Sequence, residues 1–162
     1  MTGTYIAEAL SPLLRLRARL AACPDTEGEQ AQVRLAVGTL ALLYVTTLGV
    51  TFGWAPELTT SLLWAIPFYP LSFLILGWIL VAPRKIVARR YFGMVLDMVT
   101  VTYLIWAAGE VGTPFFVIYL WVTFGNGFRF GRRYLLVSAV MSLIGFLAAT
   151  ELSPFWTLHP PL

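Results

Sequence analysis

The sequence predicts an all-α membrane protein in which five transmembrane helices form a compact bundle, preceded by an N-terminal interfacial amphipathic helix. Three observations lead to this fold class. Of the 162 residues, 59% are hydrophobic and 12% are charged, and the mean hydropathy is +0.79, well outside the range of soluble domains. Apolar runs of about 20 residues, long enough to cross a bilayer, recur along the chain. The basic residues lie in short clusters beside those runs, as at the ends of membrane helices.

The N-terminal segment, residues 1–34, is predicted to be amphipathic and juxtamembrane, and residues 35–162 are predicted to be the five-helix transmembrane domain. Within the segment, residues 4–22 suit a helix that lies on the membrane surface. After Pro12 the leucines share one face of that helix and the arginines lie opposite. A frayed basic tail explains the same residues equally well.

The first span is expected over residues 35–54. Its helix should begin earlier, near Glu27, because Thr26 and Glu29 have the spacing of a capping box. The polar lead of that helix, residues 25–34, would then stand clear of the bilayer.

The second and third spans flank a basic loop. The second span, residues 60–82, contains Pro67 and Pro70, and these prolines predict a kink or a loosened turn in its outer half. The third span, residues 91–108, carries Asp97 inside its apolar run.

The fourth span should be the antiparallel neighbour of the third, because residues 109–112 form a tight turn. Thr113 and Pro114 are predicted to cap and open this span. It should end in the glycine-rich stretch of residues 121–133, and the fifth span is expected over residues 134–152.

The distribution of charge predicts the orientation. Every lysine and arginine lies in the N-terminal segment up to Arg34, in the loop after span two, or in the loop after span four. In a five-span chain these three places lie on the same side of the membrane. The positive-inside rule therefore predicts a cytoplasmic N-terminus and a C-terminus on the outside.

The composition excludes several kinds of site. One cysteine and one histidine leave no internal disulfide and no multi-cysteine or two-histidine metal site, so no metal and no cofactor is expected. The basic residues lie beside apolar runs, which indicates membrane topology and argues against a nucleic-acid partner. The sequence has no nucleotide-binding glycine loop and no nucleophile with a histidine partner, so the chain itself is not expected to be an enzyme.

A structural polar cluster of Asp97, Asn126 and Arg129 is predicted near the basic ends of spans three and four. A carboxylate inside a membrane is either neutralised or paired. We expect Asp97 to hydrogen-bond Asn126 first, since Asn126 lies deeper than Arg129. That bond would pin the two spans and hold a turn at residues 125–127. Direct contact between Asp97 and a ligand is the alternative.

Two further residues are candidates for contact with a ligand. Arg129 could hold a carboxylate group, because a guanidinium binds a carboxylate through two parallel hydrogen bonds. Glu110 could receive a ligand at the outer mouth of the bundle, or it could be a solvated turn residue.

Short motifs spread over residues 17–160 carry a family resemblance. Their residues are Asp25, Thr26, Glu27, Gln30 and Arg34; Gly93, Leu96 and Asp97; Gly109, Glu110 and Pro114; Ser153, Pro154 and residues 159–162; and, most specifically, Trp121, Val122, Thr123, Gly125, Asn126, Gly127, Arg129 and Gly131. With these motifs the chain resembles the membrane input region of the sensor histidine kinases that detect diffusible signal factor, a bacterial cis-2-unsaturated fatty acid.

The resemblance implies a quorum-sensing input domain in the bacterial inner membrane. It implies that the full-length protein is a histidine kinase, although the catalytic modules are absent from this sequence. The implied partners are a fatty-acid ligand, the lipid bilayer, a cytoplasmic kinase module after the domain and a second copy of the chain. Because that kinase is cytoplasmic, the five-span topology requires a sixth span beyond Leu162. The resemblance assigns ligand sensing to a short polar segment that contains Asp25, Thr26, Glu27 and Gln30.

Two other functions stay open at this point. The chain could be a small membrane transporter or channel subunit that uses Asp97 as a proton or cation site. It could also be a purely structural assembly module. A transporter would show flux that depends on Asp97, whereas a sensor would show ligand-dependent coupling to the segment that follows it.

Overall fold

The computed structural model describes residues 26–53 and 55–158, and every regular element in this part of the chain is a helix. The predicted all-α class is therefore confirmed, while the predicted interfacial helix at residues 4–22 lies outside the described residues. The elements in chain order are α1 (Glu27–Phe52), α2 (Ala55–Leu63), α3 (Ala65–Val81), α4 (Val87–Ala108), a 3-10 helix (Gly109–Phe115), α5 (Phe116–Phe130), α6 (Arg132–Leu152) and α7 (Pro154–Leu158).

Four helical stretches of the described chain are long and apolar enough to cross a membrane: Glu27–Phe52, Leu58–Val81, Val87–Phe130 and Arg132–Leu152. The third stretch has 44 residues and contains α4, the 3-10 helix and α5. It folds back on itself, because the hydroxyl oxygens of Thr102 and Tyr119 lie 2.7 Å apart. In a straight helix these residues would be about 25 Å apart. The stretch is therefore an antiparallel hairpin of two helices.

The first helix begins at Glu27, as predicted, but its lead is not as predicted. Thr26 makes no side-chain capping hydrogen bond, so the predicted capping box does not form. α1 runs without interruption through residue 35, and the side chains of Glu27 and Arg34 are buried. These two charges are paired with groups of α4 inside the bundle, whereas Glu29 is exposed.

A break at Trp64 separates α2 from α3, close to the place where the prolines predict a loosened turn. Pro67 has no N–H to donate to the carbonyl of Leu63, and its ring crowds that residue. Placed in the first turn of α3, Pro67 leaves few backbone groups unsatisfied. Pro70 lies inside α3.

The turns on either side of α5 differ from the prediction. Thr113 and Pro114 lie in the 3-10 helix, where Thr113 Oγ1 donates to the carbonyl of Glu110 at 2.7 Å. Thr113 therefore supports the turn and does not cap α5. The glycine-rich residues 125–127 are helical, so the predicted turn there is wrong. The chain turns at Gly131, whose φ of 97° is accessible mainly to glycine.

α4 is the central helix of the bundle. Its side chains belong to both of the apolar core clusters of the described chain, Met98 and Ile105 to one and Leu96 to the other. The buried positions of α1 recur every three or four residues, so one face of this helix packs inward. Large apolar side chains such as Phe128 point outward, as expected of helices that face lipid.

Candidate ligand site and polar network

The central polar contact joins α1 to α4. Arg34 donates through Nε to Asp97 Oδ1, and through Nη2 to Asp97 Oδ2 at 3.0 Å. The two side chains are 4% and 11% exposed. A bidentate pair of this kind is strong, and its geometry is specific. It fixes the register of α1 against α4 across 63 positions of sequence.

Gly93 makes room for this pair. It lies one turn before Asp97 on α4, and a Cβ atom added at Gly93 would lie 2.6 Å from Arg34 Nη2. The guanidinium therefore occupies the space in which any other residue would place its side chain. The sequence requires glycine here for close approach, not for an unusual backbone angle.

A second ionic contact lies nearer the start of α1. Arg89 Nε and Arg90 Nε each donate to the carboxylate of Glu27, both at 2.7 Å. The guanidinium of Arg89 also donates to the carbonyls of Trp78, Ala82 and Arg84, at 3.3, 2.9 and 2.8 Å. These carbonyls lie at and just beyond the C-terminus of α3, where a positive charge is stabilising. Arg89 thus joins α1, α3 and α4.

The third contact of α1 reaches α5. Gln30 Nε2 donates to Asn126 Oδ1 at 3.0 Å, and Asn126 is only 1% exposed. Glu27, Gln30 and Arg34 are spaced three and four residues apart, so they lie on one face of α1. The polar residues of that face contact a different partner at each turn.

A cavity of about 120 Å³ lies between α1, α4 and α5. Its polar end is formed by Gln30, Arg34, Asp97, Asn126 and Arg129. The remaining wall is mainly apolar, and it includes Val37, Ala41, Val101, Leu104, Ile118 and Val122. The cavity can therefore hold a molecule that is polar at one end and apolar along the rest.

The structure brings some of the predicted ligand residues together and separates others. Gln30 and Arg129 line the cavity, whereas Glu110 lines a different cavity of about 320 Å³ beside α7. Thr26 precedes α1, and the carboxylate of Glu27 is held by two arginines. Asp25 lies outside the described residues.

The predicted polar cluster has different bonds from those expected. Asp97, Asn126 and Arg129 do line one cavity. The expected bond from Asp97 to Asn126 is replaced by two others, because both oxygens of Asp97 accept from Arg34 and Asn126 accepts from Gln30. The antiparallel geometry of α4 and α5 was predicted, but α1 was not expected to lie between their polar residues.

The sequence did not predict the structural roles of Arg34 and Arg89. Both were treated as basic markers of topology, although each is buried and holds two or more helices together. The spacing of Gln30 and Arg34 on one helix face was the signal that could have indicated Arg34. In residues 26–53 and 55–158, no group of three histidine, cysteine or acidic side chains could hold a metal ion.

Over 154 residues, or 94% of its length, the chain is 33% identical to the sensory/regulatory protein RpfC of two strains of Xanthomonas campestris pv. campestris. The match covers 21% of each relative, so the chain spans about a fifth of the length of the curated relatives it matches. No protein-family profile matches the chain, and no solved structure matches it. The chain is therefore similar to one part of the sensory/regulatory protein RpfC, and its helices are long and apolar enough to cross a membrane several times, as in a multi-pass membrane protein.

Proposed function

We propose that this chain is the signal-input domain of a quorum-sensing sensor kinase, and that it detects diffusible signal factor, a cis-2-unsaturated fatty acid. It relays the signal to a cytoplasmic kinase module and acts as a homodimer in the bacterial inner membrane. The observation that carries the ligand class is the cavity between α1, α4 and α5, which is polar at one end and apolar elsewhere. A fatty acid has the same division.

The small size of the cavity supports a signalling role. Its volume of about 120 Å³ is below the 300–1,000 Å³ that is usual for small-molecule pockets. A medium-chain fatty acid therefore enters only if α1 and α5 move apart. Because α1 is tied to α4 through Arg34 and Asp97, such a movement displaces helices that lead to the basic side of the bundle. Ligand binding thus shifts the bundle between two packings.

The predicted ligand-binding residues lie at different distances from the cavity. Gln30 and Arg129 line it and contact the bound acid. Glu27 lies one turn before Gln30 and positions α1 through its arginine partners, and Asp25 and Thr26 extend this segment. Glu110 would meet only a ligand in the second cavity.

The helices cross the membrane five times in this proposal, because the hairpin of α4 and α5 crosses twice. The start of α1, the loop before α4 and the start of α6 carry the basic residues, so these parts face the cytoplasm. The orientation can be tested in cells that express the chain with Cys23 replaced by serine and a single cysteine in place of Lys85 or Thr113. Both of these positions are exposed. An impermeant maleimide should label the cysteine at position 113 and spare the one at position 85. The reverse pattern would overturn the orientation.

Titration calorimetry tests the ligand. The chain is purified in lipid nanodiscs and titrated with a medium-chain cis-2-unsaturated acid and with its saturated analogue. The unsaturated acid should bind more tightly. If a sample with an intact helical spectrum and a cooperative unfolding transition binds neither acid, the proposed ligand class is wrong.

The alternative of a transporter or channel site at Asp97 gains no support from the site geometry. A proton or cation site needs carboxylate oxygens that are open to the ion. Both oxygens of Asp97 accept hydrogen bonds from Arg34. Flux through liposomes that contain the chain, lost in Asp97→Asn, would favour transport over sensing.

A further inference from the structure

Asn126 has an unused hydrogen-bond donor. Its side chain is 1% exposed and lines the cavity. Gln30 occupies Oδ1, while Nδ2 is buried without a hydrogen-bond partner. Buried polar groups in folded proteins are nearly always bonded. An unbonded amide N–H beside a cavity is free to donate to an acceptor on a molecule that enters the cavity.

Arg129 supplies an uncompensated charge next to this donor. It lies three residues after Asn126 on α5, so the two side chains are neighbours on one helix face. Arg34 and Asp97, the other charged groups that line the cavity, neutralise each other. Arg129 lines the same cavity, and its side chain makes no ion pair or hydrogen bond within the described ranges 26–53 and 55–158. The cavity therefore carries one net positive charge.

The apolar wall continues from this polar end in one direction. On α1 the cavity lining, including the polar end, runs from Gln30 to Ala41, which is about 16 Å along the helix, and it is apolar from Val37 onward. Ile118 and Val122 on α5 face the same space. This length suits an extended acyl chain of medium length. Thr100 also lines this part of the cavity, but its hydroxyl is already bonded to Trp64 Nε1 and to the carbonyl of Leu96.

We propose that Asn126 Nδ2 and the guanidinium of Arg129 bind the carboxylate of an acyl-chain monocarboxylic acid whose tail lies along α1 and α5. This inference rests on the proposed function, and it assigns the head and the tail of the ligand to opposite ends of the cavity. The charge of Arg34 is already compensated by Asp97, whereas that of Arg129 is not. Charge selectivity therefore comes from Arg129.

Two variants of the chain test the polar end of this site in nanodiscs of phosphatidylcholine, with dodecanoic acid and dodecanol as probes. Arg129→Gln removes the charge at similar length. Asn126→Asp keeps an acceptor for Gln30 but replaces the Nδ2 donor with an oxygen. Each should weaken binding of the acid by about ten- to a hundredfold, the loss expected for a charge-assisted hydrogen bond, and should leave binding of the alcohol nearly unchanged.

Gly125→Leu tests the space itself. Gly125 lines the cavity, and a Cβ atom added there meets nothing within 4 Å, so a longer side chain grows into the cavity. This variant should lose both the acid and the alcohol. Gly77→Leu is the matched control, because Gly77 is a helical glycine with the same open surroundings that does not line this cavity. It should bind both probes as the wild type does.

The outcomes separate this inference from the proposed function. If the wild type binds the acid and both Arg129→Gln and Gly125→Leu bind it equally well, the site lies elsewhere and the inference is wrong. If the folded wild type binds no fatty acid, the proposed function itself fails. Each variant is first compared with the wild type by thermal unfolding. Should Asn126→Asp not fold, the other two variants decide the matter.

Discussion

The two ends of the helix bundle are held together by different chemistry. At the charged end, where α1 begins, the buried pair of Arg34 and Asp97 joins distant helices. At the neutral end, where α4 finishes, Trp106 Nε1 donates to the carbonyl of Leu152 at 3.1 Å. There Ser153 Oγ also donates to the carbonyl of Trp106 at 3.2 Å. One end relies on ion pairs, and the other on neutral hydrogen bonds to the backbone.

This difference suggests that the neutral end mainly stabilises the bundle, while the charged end serves ligand recognition. A buried ion pair often stabilises a protein no more than apolar residues of the same volume would. The neutral end uses aromatic packing instead, as in the stacked rings of Trp64 and Tyr103, whose centroids are 4.9 Å apart. We therefore assign the fixing of the bundle to the neutral end. The charged end sets the register of α1 and lines the cavity. Removal of one partner of its ion pair should greatly lower the free energy of unfolding.

The largest effect is expected from Arg34→Met. It leaves the carboxylate of Asp97 buried without a partner, which typically costs about 3–5 kcal/mol. Chemical unfolding in detergent should report this loss. The double variant Arg34→Met with Asp97→Leu should recover most of it, because the unpaired charge is gone. If the double variant loses the sum of the two single effects, the pair is not coupled as described.

Glu27→Gln should have the next largest effect. It removes the charge that Arg89 and Arg90 share, but Arg89 keeps its three backbone carbonyls. We expect a loss of about 1.5–3 kcal/mol, the usual range for hydrogen bonds to charged groups. Glu29→Gln is the control, since Glu29 lies in the same turn and is exposed. Equal unfolding midpoints for the two variants would contradict the buried contact.

Gly93→Ala tests the register of the charged end through sterics alone. The added methyl group would press on Arg34 Nη2, so the guanidinium must move. Overpacking of this kind costs about 1–3 kcal/mol. Gly77→Ala should be neutral or slightly stabilising, because its methyl group meets nothing and alanine favours the helix. If Gly93→Ala behaves like Gly77→Ala in thermal unfolding, the close approach is not real.

The smallest effect is expected at the neutral end. Trp106→Phe removes one hydrogen bond, to the carbonyl of Leu152, and should reduce stability by about 0.5–1.5 kcal/mol. Affinity for dodecanoic acid should not change, because Trp106 does not line the cavity between α1, α4 and α5. A tenfold loss of affinity for dodecanoic acid would contradict the assignment of stability to the neutral end and ligand binding to the charged end.

Much of the fold could be predicted from local signals. Apolar runs and prolines indicated most helices, and the ends of α3 and α6 lie close to the predicted ends of spans two and five. The short connection after α4 correctly predicted the hairpin with α5. These features depend on residues that are near each other in sequence.

The pairing of the charged end could not be predicted in the same way. Arg34 and Asp97 are 63 residues apart, and although Gln30 and Arg34 share one face of a helix, that local spacing does not identify the partner of Arg34. The prediction paired Asp97 with Asn126 because it considered only neighbouring helices. The packing of α1 against α4 decides this contact, and it depends on the space at Gly93, which is visible only in three dimensions.

Photo-cross-linking tests most directly whether the charged end binds the ligand. The probe is dodecanoic acid with a diazirine on its terminal carbon, added to the chain in nanodiscs. We expect labels near the apolar end of the cavity, at Ala41, Leu104 or Ile118. These labels should disappear with excess unlabelled acid and in Arg129→Gln. Labelling confined to outward-facing side chains such as Leu143, and unchanged in Arg129→Gln, would show that the acid only dissolves in the surrounding lipid.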